Sequence, residues 1–455
     1  MLATRDEIRA RFATAMSALY REEVPLYGDL LDLVADVNAK HDADPSAPDV
    51  AARVAIERHG AIRLGTAQEL STMRRVLAVM GMLPVGYYDL SQAGLPVHAT
   101  AFRPIDAAAL EANPFRLFTS LLRVEMIDPP ALRERATEIL SRRRIFTTRL
   151  IDLVERAEQQ GGLSDADATI FVGEALETFR WHGEAPVTRD EYARMHEAHR
   201  LVADIVCFKG PHINHLTPRT LDIDAAQREM IHRGIPAKAT IEGPPARRHP
   251  ILLRQTSFRA LEESVRFRGD TVPVAGTHTA RFGEIEQRGQ ALTRRGRALY
   301  DRLLIEGRAS GDPARAFDAF PDDPREMLAQ GLGYFHFSLT PEGARHLTSW
   351  GEGERWLEWV DAGWVRADPI TYEDFLPVSA AGIFRSNLGD SPAAHDALRA
   401  APNQAAFEQA LGAAVLDEFA LYDAQQEHSL ERLRRAREEA LRGGRSAAKD
   451  LEVAS

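Results

Sequence analysis

Twice along the chain a short extended run leads into a helix and then into three further extended runs, and no other feature of the sequence constrains the fold as much. In the first copy an extended run ends near Gly65, Thr66 and Glu69 form a capping-box signature, and the helix they open reaches about Met80 before Gly81 stops it. Strand-like runs "LPVGYYDL" (83–90), "PVHATAFRP" (96–104) and "PFRLFTSLLRVEMI" (114–127) follow, separated by Gly, Pro or Asn. From 210 the order returns: the run "INHLTPR", a helix from about Ile223 to Arg233 ended by Gly234, then "AKATIEG", "PILLRQTSFRALE" and "THTARFGEIEQRG". One such unit exposes an apolar sheet face that it cannot bury alone. Two can pair their sheets into a half-closed barrel around a cleft.

The rest of the chain reads as helix around these modules. Apolar positions Ile8, Phe12, Met16 and Leu19 recur at helical spacing, residues 130–200 revert to helix, and an amphipathic helical tail follows residue 400. The expectation is an α+β fold with large helical insertions and helical termini. Its boundaries fall at 1–50 for an N-terminal scaffold, 51–128 for the first module, 129–208 for a helical insertion, 209–290 for the second module, 291–400 for a mixed segment closing the substrate site, and 401–455 for the tail.

Composition narrows the chemistry. A formal charge of -11 argues against a nucleic-acid footprint, which needs clustered Lys and Arg. The single cysteine, Cys207, allows neither an intrachain disulfide nor a thiolate metal cluster, so any metal must be held by His and carboxylate. The N-terminal stretch lacks the apolar core of a signal peptide and no later stretch is apolar enough to span a bilayer, so a cytoplasmic protein without membrane partners is expected.

Candidate residues cluster on the first and last strands of the modules. The first strand of copy one carries His59 and Arg63 in "RHGAIRLGT"; because alternate side chains share a face, His59, Ile62 and Arg63 do not all point inward without a kink, for which Gly60 offers a place. His59 and Arg63 form the candidate pair. The first strand of copy two carries His215, and its last strand carries Glu284 and Glu286, which share a face. Two histidines and one carboxylate leave adjacent coordination positions open, as non-haem Fe(II) requires when it binds both a substrate and dioxygen. His212, beside a Pro turn, reads as a structural neighbour. In "YEDFLPVSAAGIFRSNLGD" (372–390) small residues let the backbone approach a ligand, with N–H groups near Val378 and Ser379 placed for a carboxylate.

Taken together, "RHGAIRLGT", "INHLTPRTLDID", "RFGEIEQRG" and "PVSAAGIF" resemble the 2-oxoadipate dioxygenase/decarboxylase family over about residues 5–440. That family is similar to hydroxymandelate synthase and to the vicinal-oxygen-chelate proteins, which agrees with the repeated element order. The resemblance implies iron ligands at His59, His215 and Glu284, with Glu286 the alternative carboxylate. It implies substrate binding by Arg63, with Val378 and Ser379 holding a carboxylate. The implied reaction is Fe(II)-dependent conversion of 2-oxoadipate and O2 to D-2-hydroxyglutarate and CO2, a step of lysine breakdown. Another non-haem iron dioxygenase or 2-oxo acid hydroxylase on the same fold, or a non-catalytic metal- or ligand-binding protein, is the competing expectation.

Overall fold

The computed structural model describes residues 2–41, 48–238, 240–258, 262–272, 274–278, 281–350, 355–376 and 403–452. The chain divides into two compact units. One comprises residues 1–243, 254–287 and 374–416; the other comprises 244–253, 288–373 and 417–455. Val378 and Ser379 lie outside the described residues.

The first unit is built on a five-stranded sheet. Its strands are β1 (Arg58–Leu64), β2 (Leu83–Asp89), β3 (Val97–Arg103), β4 (Arg116–Leu122) and, after the short β5 (Glu184–Ala185), β6 (His215–Pro218), in the order β2-β3-β4-β1-β6. The predicted first module is present in full: β1, a helix Ala67–Val79 opened by the Thr66–Glu69 capping box, and β2 to β4. Strand β1 runs parallel to β4 and antiparallel to β6, which brings the first strands of the two modules side by side.

Alternation along β1 divides the sheet. Ile62 and Leu64 point to one face with Leu117, Leu121 and Leu216, and there they pack on apolar stripes of helices Arg5–Glu23, Ala67–Val79, Thr148–Gln160 and Asp165–Phe179. His59, Ala61 and Arg63 therefore take the opposite face. The register sets Ala61 opposite His215 and His59 opposite Thr217, so His215 and Thr217 lie on that same face. Gly60 permits this close pairing: a Cβ there would come within 3.3 Å of the His215 carbonyl oxygen on β6 and within 2.6 Å of Ile213 Cδ1. It acts through a close approach of strands and not as a kink.

The second module departs from expectation. After helix Ile223–His232 come four strands, β7 (Leu253–Ser257), β8 (Glu263–Phe267), β9 (Val274–His278) and β10 (Glu284–Arg288). The run "AKATIEG" forms no strand. Among its described residues it makes isolated bridges, Glu242 to Gln255 of β7 and Ala237 to Phe258, beside the β7 edge that β10 leaves open. Strands β8 and β9 join β5 in a separate three-stranded sheet. The architecture is thus mixed α+β with small sheets, and the described residues form no closed barrel. A parallel bridge from Arg219 to Glu286 carries the ladder from the end of β6 to β10. On β10, Ile285 enters a core with Leu30, Leu33, Ile223 and Phe258, which turns Glu284 and Glu286 the other way.

The N-terminal helix also fixes this region directly. Tyr20 donates its hydroxyl hydrogen bond to the carbonyls of Phe282 (2.7 Å) and Asn214 (3.1 Å), the residues just before β10 and β6. The predicted scaffold is therefore tied to two of the three segments that deliver candidate ligands.

In the second unit β11 (Phe335–Leu339) and β12 (Val365–Pro369) form an antiparallel pair, and helix Glu418–Glu452 lies along β11. The helix takes up the edge N–H groups of Phe335 and Phe337 through Gln426 Oε1 and Ser429 Oγ. No helix among the described residues is long and apolar enough to cross a membrane.

Candidate metal centre

His59 from β1, His215 from β6 and Glu284 from β10 are all buried, and one potential ligand atom of each lies within 4.8 Å of the others. His59 Nε2 is 3.2 Å and His215 Nε2 3.7 Å from Glu284 Oε2. The two imidazoles meet edge to face, with centroids 5.3 Å apart. Thr217 Oγ1 (2.9 Å) and Gln255 Nε2 (3.1 Å) donate to the same carboxylate oxygen and hold its orientation. On the far side of His59, Nδ1 lies 2.9 Å from Glu286 Oε2, an ion-pair contact. Phe375 and Phe282 wall the two imidazoles.

Electrostatics separate the two histidines. Burial drives the His215 pKa down to about 3 against the pull of Glu284, so this imidazole is neutral at pH 7. Burial acts the same way on His59, but Glu286 and Glu284 outweigh it and raise its pKa. For Glu284, burial favours the neutral acid, yet His215, His59 and Thr217 together hold its pKa below the usual value. Neither ring nitrogen of His215 has a hydrogen-bond partner among the described residues, although the residue is wholly buried. An orphaned neutral imidazole facing a second imidazole and a carboxylate is a donor set that suits a divalent transition metal.

Arg63 stands on the same face of β1. Its Nη1 donates to Asp204 Oδ2 at 2.5 Å, and its charge helps to depress the His215 pKa. Asp204 also meets His278 Nε2 at 2.9 Å and His212 Nε2 at 3.4 Å. His212 thus sits beside Arg63's partner and outside the His59–His215–Glu284 set, as a structural neighbour. Its backbone has φ 23°, a left-handed conformation unusual for a residue with a side chain.

Sequence reasoning missed Asp204, His278, Thr217 and Gln255. One signal was available: Asp204 is a lone carboxylate in the apolar run "LVADIVCF", and an acid buried in such a run needs a partner. The other three lack a local signature.

The family model for 2-oxoadipate dioxygenase/decarboxylase matches residues 12–387. Relatives named 2-oxoadipate dioxygenase/decarboxylase include one from Escherichia coli (strain K12), 56% identical over 94% of this chain and 98% of the relative. Another, from Pseudomonas putida, is 54% identical over 94% and 96%. A third, from Mycobacterium bovis, is 42% identical over 92% and 96%. Among solved structures, the hydroxyglutarate synthase from Pseudomonas putida in complex with 2-oxoadipate superposes with a TM-score of 0.86 at 52% identity, covering 96% of this chain and 99% of that one. A Shigella flexneri protein that includes the domain DUF1338 superposes equally well, at 0.86 and 53% identity over 95% and 99%. The convergence of His59, His215 and Glu284 is therefore found in a chain that belongs to the 2-oxoadipate dioxygenase/decarboxylase family.

Proposed function

We propose that this chain is an Fe(II)-dependent dioxygenase that converts 2-oxoadipate and O2 to D-2-hydroxyglutarate and CO2. The carrying observation is the buried set His59, His215 and Glu284, with the two nitrogens of His215 unpartnered, in a chain 54–56% identical to enzymes named for this reaction. The stoichiometry closes without another reductant. Oxidative loss of one carboxyl carbon supplies two electrons to dioxygen, and hydroxylation of the shortened acid supplies two more. When bound, Fe(II) supplies the site at which 2-oxo acid and dioxygen meet and are activated.

The chain's own residues prepare that site. Glu286 takes the proton side of His59 at Nδ1, which turns the Nε2 lone pair toward Glu284 and His215. Thr217 and Gln255 keep Glu284 from rotating, and Phe282 and Phe375 exclude water from the imidazoles. Arg63 binds a substrate carboxylate, a fork geometry that selects planar acids and is costly to leave unmatched. Val378 and Ser379 complete this binding in the same reading. The fold is read as a vicinal-oxygen-chelate arrangement, supported by the repeated strand-helix-strand order and by ligands arriving from β1, β6 and β10. We place the reaction in lysine breakdown in the cytoplasm.

The direct test is oxygen uptake by the anaerobically purified, Fe(II)-loaded protein on adding 2-oxoadipate, with CO2 and 2-hydroxyglutarate measured in parallel. One O2 consumed per CO2 and per 2-hydroxyglutarate is expected; absence of uptake by iron-loaded protein sinks the assignment. Glu286→Gln tests the orientation of His59. It is expected to weaken metal affinity by about 10–100-fold, the usual cost of losing an outer-sphere carboxylate. A competition titration with a chelator measures this, and unchanged affinity would refute that role.

A further inference from the structure

Four buried side chains that the proposed reaction leaves unused converge behind Arg63. Asp204 lies in helix Arg200–Val206 between apolar buried neighbours, where an ionised carboxylate persists only if fully matched. One of its oxygens accepts from Arg63 Nη1 at 2.5 Å; the other lies 2.9 Å from His278 Nε2 and 3.4 Å from His212 Nε2. His278 is held in turn, its Nδ1 3.0 Å from the Tyr192 hydroxyl. The potential ligand atoms of Asp204, His212 and His278 fall within 4.8 Å of one another, so a second cation has to be weighed. The Arg63 guanidinium already occupies that carboxylate, and a cation on its other oxygen would face a buried positive charge a few ångströms away. Repulsion at that range in a poorly screened interior disfavours the metal.

We propose that Asp204, oriented by His278, Tyr192 and His212, positions the guanidinium of Arg63 to receive the substrate carboxylate. This rests on the reading of Arg63 as the carboxylate-binding residue. An arginine stem has several rotatable bonds, and binding that must order it loses affinity. Anchoring one edge of the guanidinium on Asp204 fixes its plane before substrate arrives. The same contact balances the buried cation while the site is empty. Asp204 is thus a positioning residue, and its effect belongs in substrate binding more than in turnover.

The experiment compares Asp204→Asn, Tyr192→Phe, Arg63→Ala and the double variant Arg63→Ala/Asp204→Asn in the full-length Fe(II)-loaded enzyme. Steady-state kinetics on 2-oxoadipate and metal content per chain are measured for each. Asp204→Asn is expected to raise KM about tenfold or more with a smaller change in kcat and unchanged metal content, as for other outer partners of a binding group. Tyr192→Phe should shift KM in the same direction by less, and it decides the matter if Asp204→Asn does not fold. The double variant should be no worse than Arg63→Ala alone, because the anchor has nothing left to hold. Wild-type KM in Asp204→Asn and Tyr192→Phe, with Arg63→Ala impaired, overturns the positioning role and leaves the Arg63 reading intact. Wild-type KM in Arg63→Ala brings down that underlying reading. Two metal ions per wild-type chain, falling to one in Asp204→Asn, would replace the positioning role with a second metal site.

Discussion

Replacing His215 with alanine is expected to leave a folded chain that no longer retains Fe(II) and turns over 2-oxoadipate more than roughly a hundredfold more slowly, a larger loss than removal of an outer partner causes. His215 is wholly buried with both ring nitrogens unpartnered among the described residues, so its removal breaks no hydrogen bond that the metal-free fold relies on. The metal-free stability of the variant should therefore change mainly by the loss of packing against Phe282 and His59. Binding separates this from general damage. At a hundredfold excess over its dissociation constant a ligand adds about 2.7 kcal/mol to the stability of the state that binds it. Fe(II) or another divalent ion should raise the wild-type melting temperature in proportion and leave that of His215→Ala where it was. A variant still stabilised by metal to the wild-type extent would remove His215 from the ligand set.

Glu57→Gln is expected to give the largest loss of stability among single changes near the site. Glu57 precedes β1 and is fully buried; Arg219 Nη1 donates to its Oε2 at 2.8 Å, and Arg116 Nη1 lies 2.8 Å from its Oε1. Amide for carboxylate keeps the shape and removes a negative charge that Arg116 and Arg219 both contact and that Arg53 Nε approaches at 3.6 Å. Breaking a buried ion pair from one side costs about 3–5 kcal/mol, because the remaining cation stays desolvated. Metal-free protein should unfold at clearly lower urea with an unchanged slope. Arg116 faces His59 across the β1–β4 register, and Arg219 bridges to Glu286, so the damage should also reach the metal. Metal affinity is expected to fall together with stability. A midpoint equal to that of the wild type would show that the two arginines are balanced without Glu57.

Much of this site was legible in the sequence because its signals are local. The Thr66–Glu69 box, the strand-helix order of the first module and the shared face of Glu284 and Glu286 all depend on residues a few positions apart. His59, His215 and Arg63 were legible as candidates through the family motifs around them. The "AKATIEG" segment has residues that suit a strand, but it meets the open edge of β7 only at separated points, Glu242 with Gln255 and Ala237 with Phe258. Strand propensity becomes a strand only where the chain runs alongside its partner for several residues.

What the sequence by itself determined was therefore the elements of the first module, the shared face of Glu284 and Glu286 on their strand, and the family. Only the tertiary structure decided which faces meet. The antiparallel pairing of β1 with β6 sets His215 opposite Ala61, and the Arg219–Glu286 bridge brings β10 alongside. Those pairings turn Glu284 toward both imidazoles and put Glu286 behind His59, while helix Arg200–Val206 and β9 bring Asp204 and His278 to Arg63. The physical reason is one of range. Periodicity and caps arise from interactions within a turn or two of chain, whereas His59 and Glu284 are 225 residues apart and meet only because burying the opposite faces of their strands leaves them no other place.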